Sequence, residues 1–211
     1  DDNLHEIINF EVAGGTLRVT SLREASGAKK FALRINYTSS LKLITAKNDC
    51  SIHALADLEL ESITVKNYDN SRSYLNVKAN YFALVLNDKA DAELNIKAEN
   101  TSIELSKNAE LKALINSPEL KLDMYQKSDA TIEGNSNNAK IRMDNSSILN
   151  AKKLVLANLD LKSEGYSKSY INVTSSLLLE ASGKSEIELL GESKIQINKF
   201  INNATLYKKE K

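Results

Sequence analysis

Residue types that crosslink a protein or break its regular secondary structure are scarce in this 211-residue sequence. It contains one cysteine, one proline, seven glycines and no tryptophan. A single Cys50 excludes an intrachain disulfide bond, and one thiol cannot by itself build a zinc site. Because glycine is rare, we expect asparagine, serine, lysine and aspartate to occupy the turns, including turns with a left-handed backbone.

An excess of charge of one sign is also missing. The 28 Lys and Arg residues balance the 28 Asp and Glu residues, so the formal net charge is zero. Proteins that bind nucleic acid concentrate positive charge on one face, and the only basic run is the short tail at residues 208–211. We therefore predict no nucleic-acid partner. No apolar run approaches the ~20 residues of a membrane span, so none is predicted.

Short segments with alternating apolar and polar residues fill most of the chain. In Ile187-Glu188-Leu189 and Ile195-Gln196-Ile197, the two apolar side chains can share one face while the polar one points to the other. Similar units recur from about residue 58. One series, with similar but not identical steps, begins at Ile103, Leu120, Ile141, Leu159, Leu177 and Ile195. A less regular series falls between them, at Leu94, Leu111, Ile132, Ile148, Ile171 and Ile187.

Strands this short cannot each bury a face alone, but stacking on the equivalent strand one repeat away gives a continuous apolar interior. A step of about 18 residues therefore predicts an all-β fold, a parallel β-solenoid with at least two strands per coil. An antiparallel sandwich also fits units that recur every eight to twelve residues. The solenoid is favoured because matching residue types recur at the double step.

The first part of the chain has a spacing of its own. We predict an irregular β cap over residues 1–57, within the same domain as solenoid repeats over residues 58–211. The Gly14-Gly15 pair between two strand-like runs predicts a hairpin. Strict alternation from Phe31 to Tyr37 predicts a further strand, which follows a loop over residues 24–29.

The repeat resembles a known family. Ala181–Leu189, continued by Gly191, resembles the Ser-Gly-Ser-Gly-acidic-Ile repeat of the auto-transporter adhesin family called the head GIN domain. Ser163–Val173 is similar to an expanded copy, and Ala204–Tyr207 to the family's closing strand. The resemblance implies an exported protein of a Gram-negative bacterium: periplasmic, associated with the outer membrane, or extracellular. The family supplies no catalytic residues, so none is assigned.

An acidic pair carries the enzyme hypothesis. Aligning residues 120–123 with residues 141–144 places Asp123 and Asp144 on successive coils, with Lys121 and Arg142 stacked beside them. Some solenoid enzymes that cleave acidic polysaccharides bind Ca²⁺ through such carboxylates, while a basic residue abstracts a proton. The alternative, which we favour, is that stacked acids and bases neutralise each other on a solvated face.

Tyrosine supplies the other candidate surface. Tyr166 and Tyr170 lie in a polar segment, and Tyr68, Tyr74 and Tyr81 precede the regular repeats. Exposed aromatic rings can stack on sugars or anchor a protein partner. Tyrosine is also a common strand residue, which is the plainer interpretation.

These observations favour a non-catalytic surface module that presents solenoid faces to a glycan, an envelope or host protein, or another copy of itself. The alternative is a polysaccharide-active β-helix enzyme that uses Asp123 and Asp144, and a lipid-handling protein with an apolar groove is a third possibility. His5, His53 and Cys50 do not form a ligand set, and no Gly-x-Ser-x-Gly motif is present. No metal, cofactor or catalytic residue is predicted.

Overall fold

The computed structural model describes residues 7–22 and 32–209, which are almost entirely β-structure. The chain divides into two compact units, residues 1–38 and residues 39–211. The described residues include no helix long and apolar enough to cross a membrane. The strands are β1 (Ile8–Ala13), β2 (Thr16–Ser21), β3 (Leu43–Ala46), β4 (Ser51–His53), β5 (Leu58–Asn67), β6 (Arg72–Leu86), β7 (Asp91–Leu105), β8 (Glu110–Asn116), β9 (Glu119–Met124), β10 (Asp129–Met143), β11 (Ile148–Ser163), β12 (Lys168–Ala181), β13 (Glu186–Leu190), β14 (Lys194–Phe200) and β15 (Thr205–Lys208).

The first unit contains one antiparallel hairpin. Strands β1 and β2 pair, and Gly14 and Gly15 both adopt a left-handed backbone, as a two-residue hairpin turn requires. The predicted hairpin is therefore confirmed. The predicted loop over residues 24–29 lies outside the described residues. The strand predicted over Phe31–Tyr37 is wrong for residues 32–37, because this segment pairs with no described strand and alternation alone does not hold a strand in a sheet.

The second unit is a parallel β-solenoid. Strands β3 to β15 form one sheet of 13 strands, and every pair in it is parallel. Each coil supplies two segments: the first half of β7 pairs with β8, and its second half pairs with β9. We call the stack through Glu110–Asn116 ladder A and the stack through Glu119–Met124 ladder B. The predicted solenoid is confirmed, and the antiparallel sandwich is excluded.

The coil length follows from the residues that pair. In ladder A, Asp91 lies opposite Glu110, which lies opposite Asp129, so the coils are about 19 residues long. The predicted series mixes two inner columns that lie two residues apart. Ile103 and Ile141 share a column with Leu122. The other members, Leu120, Leu159, Leu177 and Ile195, lie in the adjacent inner column. A two-residue slip of this kind keeps every side chain on its own face, so alternation cannot detect it.

One member of the second predicted series points outward. Leu149 is fully buried, whereas Ile148 is 39% exposed. Ile148 pairs with Asp129 in an outward column of ladder A, and Leu149 pairs with the buried Ala130. Because Ile148 and Leu149 are adjacent and both aliphatic, the sequence does not show which of them faces the core.

The core consists of columns of buried side chains that run through successive coils. In ladder B, six aliphatic residues lie directly opposite one another, each at most 1% exposed. Burying one such side chain contributes about 1.5–3 kcal/mol relative to leaving it in water. The column comprises Leu84, Ile103, Leu122, Ile141, Leu161 and Leu179.

The turns that lead into ladder A form a second regular stack, the turn stack. Each turn holds one residue with φ between 56° and 76°, and only two of the nine are glycine. The backbone carbonyls of the first eight accept a hydrogen bond from the next coil, as from Asn108 N–H to Asp88 O at 2.8 Å. Asparagine, aspartate, lysine and glutamine thus occupy left-handed positions that glycine usually fills. The nine residues are Asn48, Asp69, Asp88, Lys107, Gln126, Asn145, Gly165, Gly183 and Asn202.

Parallel stacking begins before the predicted boundary at residue 58. Strand β3 pairs with β5, and β4 pairs with β6, so residues 43–46 and 51–53 already belong to the coils. The division into a cap over residues 1–57 and repeats over residues 58–211 stays a prediction about domains.

Deleting one whole coil should leave a folded solenoid. Removal of residues 110–128 joins Ala109 to Asp129, which then occupies the ladder position of Glu110, and residues 138–143 replace β9 against β7. We expect circular dichroism to show β-structure and a cooperative, somewhat less stable unfolding transition, because each coil contacts only its neighbours.

The matched control removes residues 110–127, one residue fewer. A one-residue shift turns the apolar side chains of the following strand outward, so this variant should be much less stable or unfolded. Equal stability of the two deletions would contradict the register.

Substitutions at two positions with positive φ test this description of the backbone. Gly134 has φ of 115°, and a Cβ there would lie 2.0 Å from the carbonyl oxygen of Ile115. Gly134→Ala should therefore lower the free energy of unfolding by at least about 2 kcal/mol. Gln126→Gly, at φ of 60°, should change it by less than about 1 kcal/mol, because relief of left-handed strain offsets the added entropy of the unfolded chain. Urea denaturation measures both, and similar losses would contradict this assignment.

Candidate functional site

An exposed tyrosine lies in the turn stack near the C-terminal end of the solenoid. Tyr166 is 61% exposed and directly follows Gly165, one of the left-handed residues. Three successive turns supply the hollow around it, which has a volume of about 310 Å³. We call this site the Tyr166 corner; it is lined by Gly165, Tyr166, Gly183, Lys184, Asn202 and Asn203.

At its two glycine positions, the base of the corner consists of backbone atoms. The amide of Lys184 donates to Gly165 O at 2.6 Å, and the amide of Asn203 donates to Gly183 O at 2.8 Å. A Cβ at Gly183 would lie only 2.6 Å from the same Gly165 oxygen. The turns therefore stack too closely for side chains at the two glycine positions, which leaves the tyrosine ring as the main wall.

A cation faces that ring. The Nζ atom of Lys184 lies 5.3 Å from the centroid of the Tyr166 ring, a distance at which the ring's negative face attracts an ammonium group. The corner thus combines an aromatic face, an ammonium group and two exposed asparagine amides. These groups can stack on an apolar ring face and exchange hydrogen bonds with hydroxyl or carboxylate groups.

Tyr170 lies elsewhere. It occupies an outward column of ladder A between Asn150 and Glu188, and it is half-buried. The Nζ atom of Lys152 lies 4.4 Å from its ring centroid and 3.7 Å from a carboxylate oxygen of Glu188. The structure therefore separates the two predicted tyrosines, and Tyr170 has less open ring surface to offer a ligand.

The predicted alignment of Asp123 with Asp144 is wrong. Asp123 lies opposite Arg142, and Asp144 comes after the last pair of β9 with β10. The cause is again a two-residue slip, since Leu120 lies opposite the small Ala139 and not opposite a large aliphatic residue. Matching large apolar residues to one another therefore predicts the wrong register.

The two carboxylates consequently do not lie opposite each other, and each has a different partner. Asp123 forms an ion pair with Lys121 at 2.8 Å within one strand, and its side chain is only 16% exposed. Asp144 instead accepts a hydrogen bond from the amide of Asn145 at 2.6 Å. The two basic residues do not stack either, because Lys121 lies opposite Lys140. The arrangement on which the lyase hypothesis rested is absent from ladder B.

The residues considered for metal binding are also dispersed. His53 stacks on Tyr74 with ring centroids 4.6 Å apart, and its Nε2 lies 3.0 Å from the Ser51 hydroxyl. Cys50 is exposed, and partial loss of hydration raises the pKa of its thiol, which disfavours the thiolate that binds metal. Within residues 7–22 and 32–209, no group of three His, Cys, Asp or Glu residues could hold a metal ion. His5 lies outside the described residues.

The sequence patterns did not predict the acidic column that is present in ladder A. Asp91, Glu110 and Asp129 occupy the same outward position on three successive coils. Asp91 forms an ion pair with Arg72 at 3.0 Å. Loss of hydration and the neighbouring Glu110 raise the pKa of Asp129. The recurrence of one acid per coil was the available signal, and it became readable only with the correct coil length.

Comparison with known proteins identifies the family. A family profile described as "Putative auto-transporter adhesin, head GIN domain" matches residues 1–114 and again residues 89–193. The chain belongs to this family. The overlap of the two matches is typical of internally repeated sequences, which fit one profile in more than one register. No curated protein and no solved structure matches the chain.

The family assignment gives the Tyr166 corner its context. In this head GIN domain, Gly165 and Gly183 belong to the two glycine-containing repeats on which the resemblance rests, and both lie inside the second matched range. The family's name is that of surface adhesins. The corner is thus built from the repeat of an adhesin-type domain.

The acidic column predicts a pH-dependent effect on stability. Because the pKa of Asp129 is raised in the folded state, the charged carboxylate is disfavoured there, and stability is lost as the pH rises from the ordinary carboxyl pKa of about 4 through the raised value. Asp129→Asn should therefore increase the free energy of unfolding at pH 7, by less than about 1 kcal/mol because the group is largely exposed.

The gain should disappear at pH 3, where the carboxyl is protonated in both states. Asp91→Asn is the matched control: it removes a carboxylate that has an arginine partner, so it should bring no gain at pH 7. Urea denaturation at both pH values measures the difference, and an Asp129→Asn variant that is less stable at pH 7 would contradict the assignment.

Proposed function

We propose that this head GIN domain is a non-catalytic, exported binding module of the Gram-negative cell surface that holds a glycan at the Tyr166 corner. The observation that carries the proposal is an exposed aromatic ring beside a lysine and two asparagines on a floor of backbone. The family name supports a surface location and an adhesive role.

The chemistry of the corner suits a sugar better than an apolar ligand. An aromatic face packs against the C–H face of a pyranose ring, and amide and ammonium groups donate hydrogen bonds to its hydroxyls. Lys184 also favours a sugar that carries a carboxylate or phosphate, because it has no ion pair among the described residues. We therefore propose an acidic glycan as the preferred ligand.

The solenoid supports such a role mechanically. Backbone hydrogen bonds connect the turn of Tyr166 to the turns of both neighbouring coils. The amide of Tyr166 donates to Asn145 O, and the amide of Lys184 donates to Gly165 O. A corner held in this way loses little conformational entropy when it binds, which favours affinity.

The test is a glycan array of neutral and acidic oligosaccharides, followed by calorimetric titration of the strongest binder. Tyr166→Ala should weaken binding at least about fivefold, because an exposed aromatic anchor in an interface is worth more than ~1 kcal/mol. Lys184→Ala should weaken binding to acidic glycans and spare neutral ones.

Tyr81→Ala serves as the matched control. Tyr81 is 44% exposed and lies on an outward column of ladder B, away from the turn stack, so its removal should leave affinity unchanged. The absence of any array signal, or equal losses in the Tyr166 and Tyr81 variants, would overturn the proposal.

A further inference from the structure

The last strand of ladder B has an open edge. Strand β14 pairs with β12 on one side, and no other described strand pairs with it. All seven of its residues are exposed. Its inner positions nevertheless continue the apolar columns of the core: Ile195 lies opposite Leu177, Ile197 opposite Leu179, and Phe200 opposite Ala181.

The exposed apolar surface on this edge is large. Ile195 is 41% exposed, Ile197 51% and Phe200 39%, whereas their partners one coil inward are at most 1% exposed. Unpaired backbone donors and acceptors beside such side chains form a template for another strand.

The C-terminal end of ladder A carries a charge at an inner position. Lys208 lies opposite the buried Leu189 at the end of ladder A and forms an ion pair with Glu192 at 3.4 Å. At the opposite end of ladder B, the exposed Lys42 immediately precedes β3, and its carbonyl accepts a hydrogen bond from Thr64 N–H. The first strand of ladder A, β4, has the uncharged Ile52 at its inner position. Inward charges of this kind discourage strand addition. Strand β14 lacks one.

The sequence of β14 is self-complementary in the antiparallel sense. Pairing two copies about Gln196 places Ile195 of each opposite Ile197 of the other on the inner side. On the outer side, Gln196 faces Gln196, and each Lys194 faces Asn198 rather than a second lysine. Like charges therefore never lie directly opposite each other, which cross-strand pairing requires.

Head-to-tail stacking of copies fits less well. Continuing ladder B in parallel register with the first coil of another copy would bring the exposed Lys42, one residue before β3, beside Ile195, where its ammonium group would lose hydration without gaining a charged partner. Antiparallel pairing avoids this and gives a closed twofold dimer instead of an open filament.

We propose that the free edge of β14 is a homodimer interface, in which residues 194–198 of two copies pair antiparallel about Gln196. The interface is independent of the Tyr166 corner and of its ligand. It joins two solenoids by their C-terminal coils.

The first experiment follows the oligomeric state of the full 211-residue chain by sedimentation velocity over a range of concentrations. The wild type should show a monomer–dimer equilibrium. Ile197→Lys should abolish the dimer without unfolding the chain, because this side chain is already half exposed in the monomer. Leu178→Lys, on the outward column one coil inward, is the matched control and should still dimerise.

Charge reversal at the twofold axis tests the register. Gln196→Lys alone and Gln196→Glu alone should each raise the dissociation constant about two- to fivefold, because like charges then face each other. An equimolar mixture of the two variants should associate more tightly than either alone. A mixture that is no tighter would overturn the antiparallel register.

Crosslinking tests the contact directly, in a Cys50→Ser background. Gln196→Cys should form a disulfide-linked dimer under mild oxidation, since paired residues of adjacent strands lie within disulfide reach. Leu178→Cys should not, because its copies would be about 14 Å apart at the ~4.8 Å strand spacing.

Three results would overturn the proposal. They are a chain that stays monomeric at every concentration, Gln196→Cys that crosslinks no faster than Leu178→Cys, and crosslinking of Gln196→Cys to Leu43→Cys, which would show head-to-tail stacking.

Discussion

Parallel hydrogen bonding between coils of nearly equal length is the constraint on which this structure depends. Each strand segment finds its backbone partners one coil away, so a residue's nearest neighbours outside its own strand lie one coil length before and after it. Inner columns become continuous apolar stacks, and outer columns set the surface electrostatics. Lys140 faces Asp160 at 3.7 Å for this reason, although a whole coil separates them in the sequence. Proteins of this kind are stabilised coil by coil, through neighbours rather than through one central core.

The same constraint explains how the chain makes its turns with few glycines. Coils of equal length need a left-handed residue at the same place in each turn, and a non-glycine residue there costs about 1 kcal/mol. The ladder tolerates that strain because every turn carbonyl before the last turn is hydrogen-bonded to the next turn. Glycine occurs in the turn stack only at Gly165 and Gly183, where the backbones approach too closely for a Cβ. Tyr166 and Lys184 directly follow these two glycines, so the Tyr166 corner lies at the glycine positions of the stack.

The Tyr166 corner and the free edge of β14 lie in the same part of the solenoid. Asn202 and Asn203 connect β14 to β15, so the last turn contributes to the Tyr166 corner while the strand before it forms the edge. Two copies joined at that edge would hold two corners in one assembly. Simultaneous engagement of two ligands can raise avidity by about 10²–10⁴ without any new contact, which suits an adhesin-type domain whose single sites are shallow and exposed.

Sequence alone determined the fold class and the family of this protein, because period-2 alternation, its recurrence from coil to coil and the glycine-containing repeats at Gly165 and Gly183 are local patterns. It also indicated that Tyr166 was a candidate residue. Only the tertiary structure decided which residues lie opposite one another: Asp123 lies opposite Arg142 and not opposite Asp144, and Asp91, Glu110 and Asp129 form the acidic column of ladder A. The physical reason is that a two-residue shift leaves every side chain on its own face, so the alternation of the sequence is the same in either register, and backbone hydrogen bonding between whole coils selects between them.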